Sequence, residues 1–111
     1  MKADFEHLPL APATLHILLA LAAEDLHGYG IMQEVQRQSE GRYRLGPGTL
    51  YDNLARLLRD GLVNESGGEG RRKYYRLTAG GRRVLAAEIA RLETVIRDAR
   101  THLGKASPRR T

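Results

Sequence analysis

Cysteine is absent from this 111-residue chain, so it can hold no disulfide framework and no thiolate metal site, and a reducing cytoplasm is the expected compartment. Tryptophan is absent as well, and Phe5 is the only phenylalanine. Long apolar runs are also missing. The longest, "ILLALAA" from Ile17, falls far short of the about 20 residues that a membrane helix needs. The opening residues, "MKADFEH", are acidic rather than basic, which argues against an export signal and for a soluble protein with no membrane partner. No acidic cluster occurs. His7, His16, His27 and His102 are scattered without ligand spacing, so the expectation is no catalytic residue, no metal and no cofactor.

What is present is an uneven charge. The net charge is +5, yet residues 1–35 carry one base against five acids (−4), residues 36–83 eleven against five (+6), and residues 84–111 six against three (+3). A basic excess confined to the last two thirds suits a polyanion, although solvated Lys and Arg faces are common on soluble domains. The length fits one domain whose modest core would gain from a second subunit.

Periodicity divides the chain into four helical segments and one hairpin. The first helix opens near Pro12, with Leu15, Leu18, Leu19 and Ala22 as its expected core face. After the glycine-broken "DLHGYG", a short amphipathic helix runs from about Tyr29 to Ser39 with Ile31, Met32 and Val35 inward. A third helix begins at about Pro47 and is closed by Gly61. Its Leu50, Leu54, Leu57 and Leu58 form the buried stripe. "LVNES" and "KYYRLT" read as two strands around the tip "GGEGRR", with Tyr75 and Leu77 inward and Arg72, Tyr74 and Arg76 outward. Thr78 can cap a fourth, long helix to about Leu103. Its Leu85, Ile89, Leu92, Ile96, Ala99 and Leu103 are spaced 4, 3, 4, 3, 4, the average of a coiled-coil seam. That stripe asks for a partner helix, and packing on the chain's own core is the competing reading. "GKASPRRT" has no periodicity and is expected to be a frayed tail.

Helix, helix, turn, helix, basic hairpin is the order of a winged helix-turn-helix. The expected fold class is therefore mostly α (α+β), with a DNA-binding domain over residues 1–77, a dimerisation helix over 78–103 and a disordered tail over 104–111. In such a fold the third helix lies in the major groove, where base edges are distinguishable, and the hairpin reaches the backbone or minor groove. On the third helix Gly48, Thr49, Tyr51, Asn53 and Arg56 would face DNA, with Gly48 clearing room for a phosphate at the helix start. Arg71, Arg72 and Lys73 would contact phosphates from the wing. The plain alternative for these residues is a solvated face, with Tyr51 covering the edge of the core.

"LAPATLHILLAL", "HGYGIMQEV", "RLGPGTLYDNLARLLRDGLV" and "RRKYYRLTAGGRRVL" together resemble the PadR-like transcriptional regulators, the third stretch most specifically. The resemblance implies a cytoplasmic homodimeric repressor on an inverted-repeat operator of double-stranded DNA, joined through its C-terminal helix. It implies the smaller branch of the family, with a single such helix. Some members hold flat aromatic drugs between tryptophans; this chain has none, which argues against an aromatic drug site and leaves the aliphatic seam or Tyr side chains for a small-molecule effector. A protein-interaction module acting through a protein partner is the rival reading. Salt-dependent DNA binding separates the two.

Overall fold

In the computed structural model, which describes residues 6–67, 70 and 72–106, each helix starts at a residue suited to a helix end. Pro12 opens α1 (Pro12–Leu21) and Pro47 opens α3 (Pro47–Arg59), at positions where a backbone N–H would have no intrahelical partner. The His27 ring caps α2 (Gly28–Gln38), its Nδ1 accepting a hydrogen bond from the Gly30 N–H at 2.8 Å. Thr78 precedes α4 (Ala79–Ala106); its hydroxyl accepts from the Gly81 N–H at 2.9 Å and donates to the Gly61 carbonyl at 2.8 Å. At the end of α3 the Gly61 N–H donates to Leu58 at 3.2 Å and the Leu62 N–H to Leu57 at 2.9 Å, with Gly61 at φ +75°. This double bond pattern requires a left-handed residue after the helix, which is the role glycine fills there.

Three short strands, β1 (Leu26–His27), β2 (Val63–Ser66) and β3 (Tyr74–Leu77), form an antiparallel sheet in the order β1-β3-β2. Val63 pairs with Leu77 and Glu65 with Tyr75, so Val63, Tyr75 and Leu77 turn into the core while Arg76 points out. β1 was not anticipated. Two residues are too few for an alternating pattern, and its pairing, Leu26 with Tyr75 and His27 with Tyr74, joins positions far apart in sequence.

The core gathers Ile17, Leu18, Leu21, Ile31, Val35, Leu50, Leu54, Val63 and Val84, all almost inaccessible to solvent. On α1 the expected face was misplaced: Leu18 is buried, but Leu15, Leu19 and Ala22 are only partly so, while Ala13, Ile17, Ala20 and Leu21 are buried. The reason is that α1 is apolar on almost every side, so its own periodicity does not select the inward stripe.

Gly81 brings α4 onto the turn after α3. A Cβ there would collide with the Leu62 carbonyl and the Leu77 side chain, so only glycine allows this approach. Val84, Leu85 and Glu88 are buried, Ile89 and Leu92 partly, and residues 93–104 are all exposed. The helix continues to Ala106, past the Leu103 end expected from the sequence, and the remainder of the expected tail, 107–111, lies outside the described residues. The distal half of α4 extends beyond the body. The radius of gyration of 16.5 Å exceeds the roughly 13 Å of a compact chain of this length.

Glu88, 1% exposed, ties the N-terminal segment to α4. Its carboxylate accepts from Arg91 Nε at 2.6 Å, from Arg91 Nη2 at 3.0 Å and from the Leu10 N–H at 3.0 Å. The Arg91 guanidinium, and after it the Leu10 N–H, hold this carboxyl below the ordinary 4.5 although burial pushes it up. With the folded value below the unfolded one, the stabilisation is present above the usual glutamate range and is lost as pH falls through it. We expect Glu88→Gln to lower the melting temperature by about 5 °C at about pH 7. The gap to wild type should narrow as the solution is acidified past the glutamate range. Thermal denaturation followed by circular dichroism at several pH values checks this, and a gap that stays constant in acid would contradict it.

Candidate nucleic-acid interface

The placement of α3 follows from its leucines. Leu50, Leu54 and Leu57 are buried and Leu58 partly so, packed against α1, α2 and β2. The opposite side is therefore forced outward. Gly48, Thr49, Tyr51, Asp52 and Arg56 are exposed, Tyr51 to 50%. The Tyr51 hydroxyl lies so close over Gly28 that a Cβ at Gly28 would overlap it, so the glycine that starts α2 also seats the tyrosine.

Asn53 does not belong to that outward face, which corrects the expectation that it reads bases. It is only 6% exposed. Its Oδ1 accepts from the Thr14 hydroxyl at 2.7 Å and from Arg56 Nη2 at 3.1 Å, and its Nδ2 donates to the Thr49 carbonyl at 2.8 Å. The reason was present in the spacing: Asn53 lies three residues after Leu50 and four before Leu57, beside the buried stripe. Its amide is occupied in joining α3 to α1 and in steering Arg56.

From the wing, Arg72 and Lys73 are exposed, while Arg71 lies outside the described residues. Lys73 Nζ stands 3.7 Å from Glu65, a surface pairing of small energetic weight. Arg76 instead pairs with Asp25 at 2.9 Å, joining β3 to the turn before β1, and holds the Asp25 carboxyl below its usual range. A groove between α2, α3 and the wing is lined by His27, Gly28, Tyr29, Tyr51, Arg72 and Lys73. His27 and Tyr29, the latter 64% exposed, were not among the expected site residues. The signal for His27 was its position three residues before Gly30, as a helix cap. Elsewhere in the chain His16 stacks on Tyr43 with centroids 4.5 Å apart.

The expected seam on α4 divides in two. Leu85, 8% exposed, belongs to the chain's own core rather than to a partner, because the first turns of α4 pack on α1 and β3. Ile89 packs against the same core and Leu92 is half-buried. Beyond them Ile96, Ala99 and Leu103 are exposed, Leu103 to 71%, and Val95 beside them to 49%.

Three helices, a small sheet with its basic hairpin and a long C-terminal helix constitute a winged helix-turn-helix protein. The description of the transcriptional regulator PadR-like family matches residues 17–87, and the chain belongs to that family. It is 40% identical over 91 residues to the transcriptional regulator Rv3488 of Mycobacterium tuberculosis, covering 79% of this chain and 82% of the relative. A transcriptional regulator from Clostridium thermocellum has a similar structure, with a TM-score of 0.72 and 27% identity over 82% of this chain and 89% of its own. Bacillus subtilis PadR in complex with operator DNA shares the fold at a TM-score of 0.64 and 22% identity, over 73% of this chain and 48% of its own. The family's regulators are DNA-binding transcription factors, not enzymes. No helix among the described residues is long and apolar enough to cross a membrane.

We expect Asn53→Ala to lower folding stability by about 1 to 2 kcal/mol, because the Thr14 hydroxyl loses its acceptor and the side-chain tie between α3 and α1 is removed. Binding to unrelated DNA duplexes should weaken by similar factors. Denaturant unfolding with fluorescence anisotropy on two duplexes checks this. Unchanged stability with a selective loss on one sequence would return Asn53 to base reading.

Proposed function

We propose that the chain is a cytoplasmic repressor that binds an inverted-repeat operator as a homodimer. The observation that carries this reading is the outward face of α3, with Thr49, Tyr51 and Arg56 exposed on a helix locked by its leucines and flanked by the wing cations Arg72 and Lys73. The occurrence of the same fold on operator DNA in the Bacillus subtilis relative supports it. In this reading α3 enters the major groove. Arg56 is suited to a guanine edge, Thr49 and Tyr51 contact bases or the adjacent backbone, and Gly48 lets a phosphate approach the helix start. Arg72 and Lys73, with Arg71 by its sequence position, neutralise phosphates. The dimer forms through the distal part of α4, where Val95, Ile96, Ala99 and Leu103 gain burial against a second copy. Two-fold symmetry then sets two α3 helices on half-sites about one helical turn apart. With no tryptophan in the chain, any effector would meet the aliphatic seam and the arginines beside it rather than stacked indoles.

Fluorescence anisotropy on a duplex from upstream of the protein's own gene, against an unrelated duplex, tests the DNA half of the reading. Arg56→Ala should cost about 1 to 3 kcal/mol on the operator and much less on the unrelated duplex. Combined Arg72→Ala and Lys73→Ala should weaken both and flatten the salt dependence by about one unit per lost phosphate contact. Wild-type protein that shows no salt-dependent binding to either duplex would reject DNA as the partner.

Sedimentation tests the dimer half. Ile96 is 48% exposed in the single chain, so Ile96→Asp should leave the fold of one subunit intact while placing an unpaired carboxylate in the proposed seam. We expect a wild-type dimer and an Ile96→Asp monomer whose operator affinity is lower by about 10² or more, as the second half-site is lost. A variant that remains a dimer would remove α4 from the interface.

A further inference from the structure

His27 sits at the junction of β1, α2 and the wing, with both ring nitrogens engaged. Nδ1 accepts the Gly30 N–H at 2.8 Å, and the Tyr74 ring meets the imidazole edge-on with centroids 5.2 Å apart. A neutral imidazole has one proton and one free lone pair. With the Nδ1 lone pair used by Gly30, the proton lies on Nε2. Arg72 Nη1 stands 3.0 Å from that same Nε2. A guanidinium has donors and no acceptor, so two N–H donors face each other at hydrogen-bonding distance. A second ring proton would worsen the conflict, since Nδ1–H would then oppose the Gly30 N–H as well.

No oxygen fits in a gap of 3.0 Å, so the conflict is relieved when Arg72 turns off the Nε2 axis and both donors take one acceptor lying beside them. The geometry points to a phosphate site at this junction, in which the His27 Nε2–H and the Arg72 guanidinium bind the same backbone phosphate of duplex DNA. The inference rests on the DNA-binding reading and adds to it a neutral hydrogen-bond donor from outside α3 and the wing. The source of the phosphate follows from the surroundings. The site opens on the groove lined by Tyr29, Tyr51 and Lys73, so a strand running beside the start of α3 passes over it. His27 is fixed before DNA arrives, by the Gly30 bond and the Tyr74 ring. A Cβ at Gly30 would press on the His27 ring at 3.3 Å, so the glycine lets the ring sit close over the start of α2. A phosphate bound here would hold the wing, through Arg72, at a set distance from α2.

Two substitutions separate the two nitrogens. In His27→Asn the Oδ1 takes the place of Nδ1 and can still cap the Gly30 N–H, while nothing reaches the Nε2 position. We expect this variant to melt close to wild type and to bind the upstream duplex and an unrelated duplex of equal length about tenfold more weakly. Arg72→Ala should weaken both duplexes too, and the double variant should lose less than the product of the single losses, because both groups serve one phosphate. Long-range proton–nitrogen NMR of the free wild-type protein should show the Nε2–H tautomer. Adding duplex should move the Nε2 resonance, whereas inorganic phosphate at similar phosphate concentration should move it little. The proposal is overturned by an Nδ1–H tautomer, by unchanged affinity in His27→Asn, by independent losses in the double variant, or by inorganic phosphate reproducing the DNA shift. If wild-type protein binds neither duplex, the DNA reading itself fails and the phosphate site with it. Binding by the wild type with no effect of His27→Asn rejects the site alone.

Discussion

Burial of the Leu50, Leu54 and Leu57 stripe is the constraint on which the rest of the structure depends. These side chains fix the rotation of α3 about its own axis, and once that rotation is set, the outward direction of Thr49, Tyr51 and Arg56 follows without further interactions. The ends of α3 are specified with equal economy: Pro47 starts it, and Gly61 stops it in a turn that hands the chain directly to β2. Asn53 then refines the arrangement. By joining α3 to Thr14 of α1 and holding Arg56, it converts a core-facing position into control of an outward-facing side chain. A buried residue can in this way orient an exposed neighbour.

The long helix performs two tasks along its length. Its first three turns complete the core, where Gly81 permits the close approach to Leu62 and Glu88 fastens the N-terminal segment through Leu10 and Arg91. From Glu93 to Gly104 it leaves the body and is exposed on all sides. A rigid helix rooted in the winged domain transmits orientation, so the geometry of a dimer made by its distal end would set the separation of two α3 helices. In the proposed dimer the buried anchors near Gly81 and Glu88 would therefore bear on operator spacing as well as on stability.

Much of this was legible in the sequence. The four helices, the hairpin and the winged topology could be read because Pro12, Pro47, Gly61 and Thr78 mark helix ends, and because the leucines of α3 repeat at helical spacing. The inward Tyr75 was legible from strand alternation. The rest depended on tertiary pairing that local patterns do not encode. β1 exists only because β3 offers it an edge, and the inward side of α1 is chosen by its neighbours since almost every side is apolar. The 3.5-residue repeat of α4 runs unbroken through Leu85, Ile89 and Leu103, although the first packs in the chain's own core and the last is exposed. An apolar period identifies a buried stripe without naming what buries it. Polar residues were hardest to place: Asn53, Glu88 and His27 each act through a partner distant in sequence.

The central claim is that two outward α3 faces, held by one dimer, read the major groove of one duplex. Methylation protection of guanine N7 on the DNA upstream of the gene tests it directly, because N7 lies in the major groove and reports what occupies it. The account predicts two protected patches, related by two-fold symmetry and about one helical turn apart, both on the same side of the duplex. Bound DNA with no N7 protection, or with a single patch at saturating protein, would contradict it.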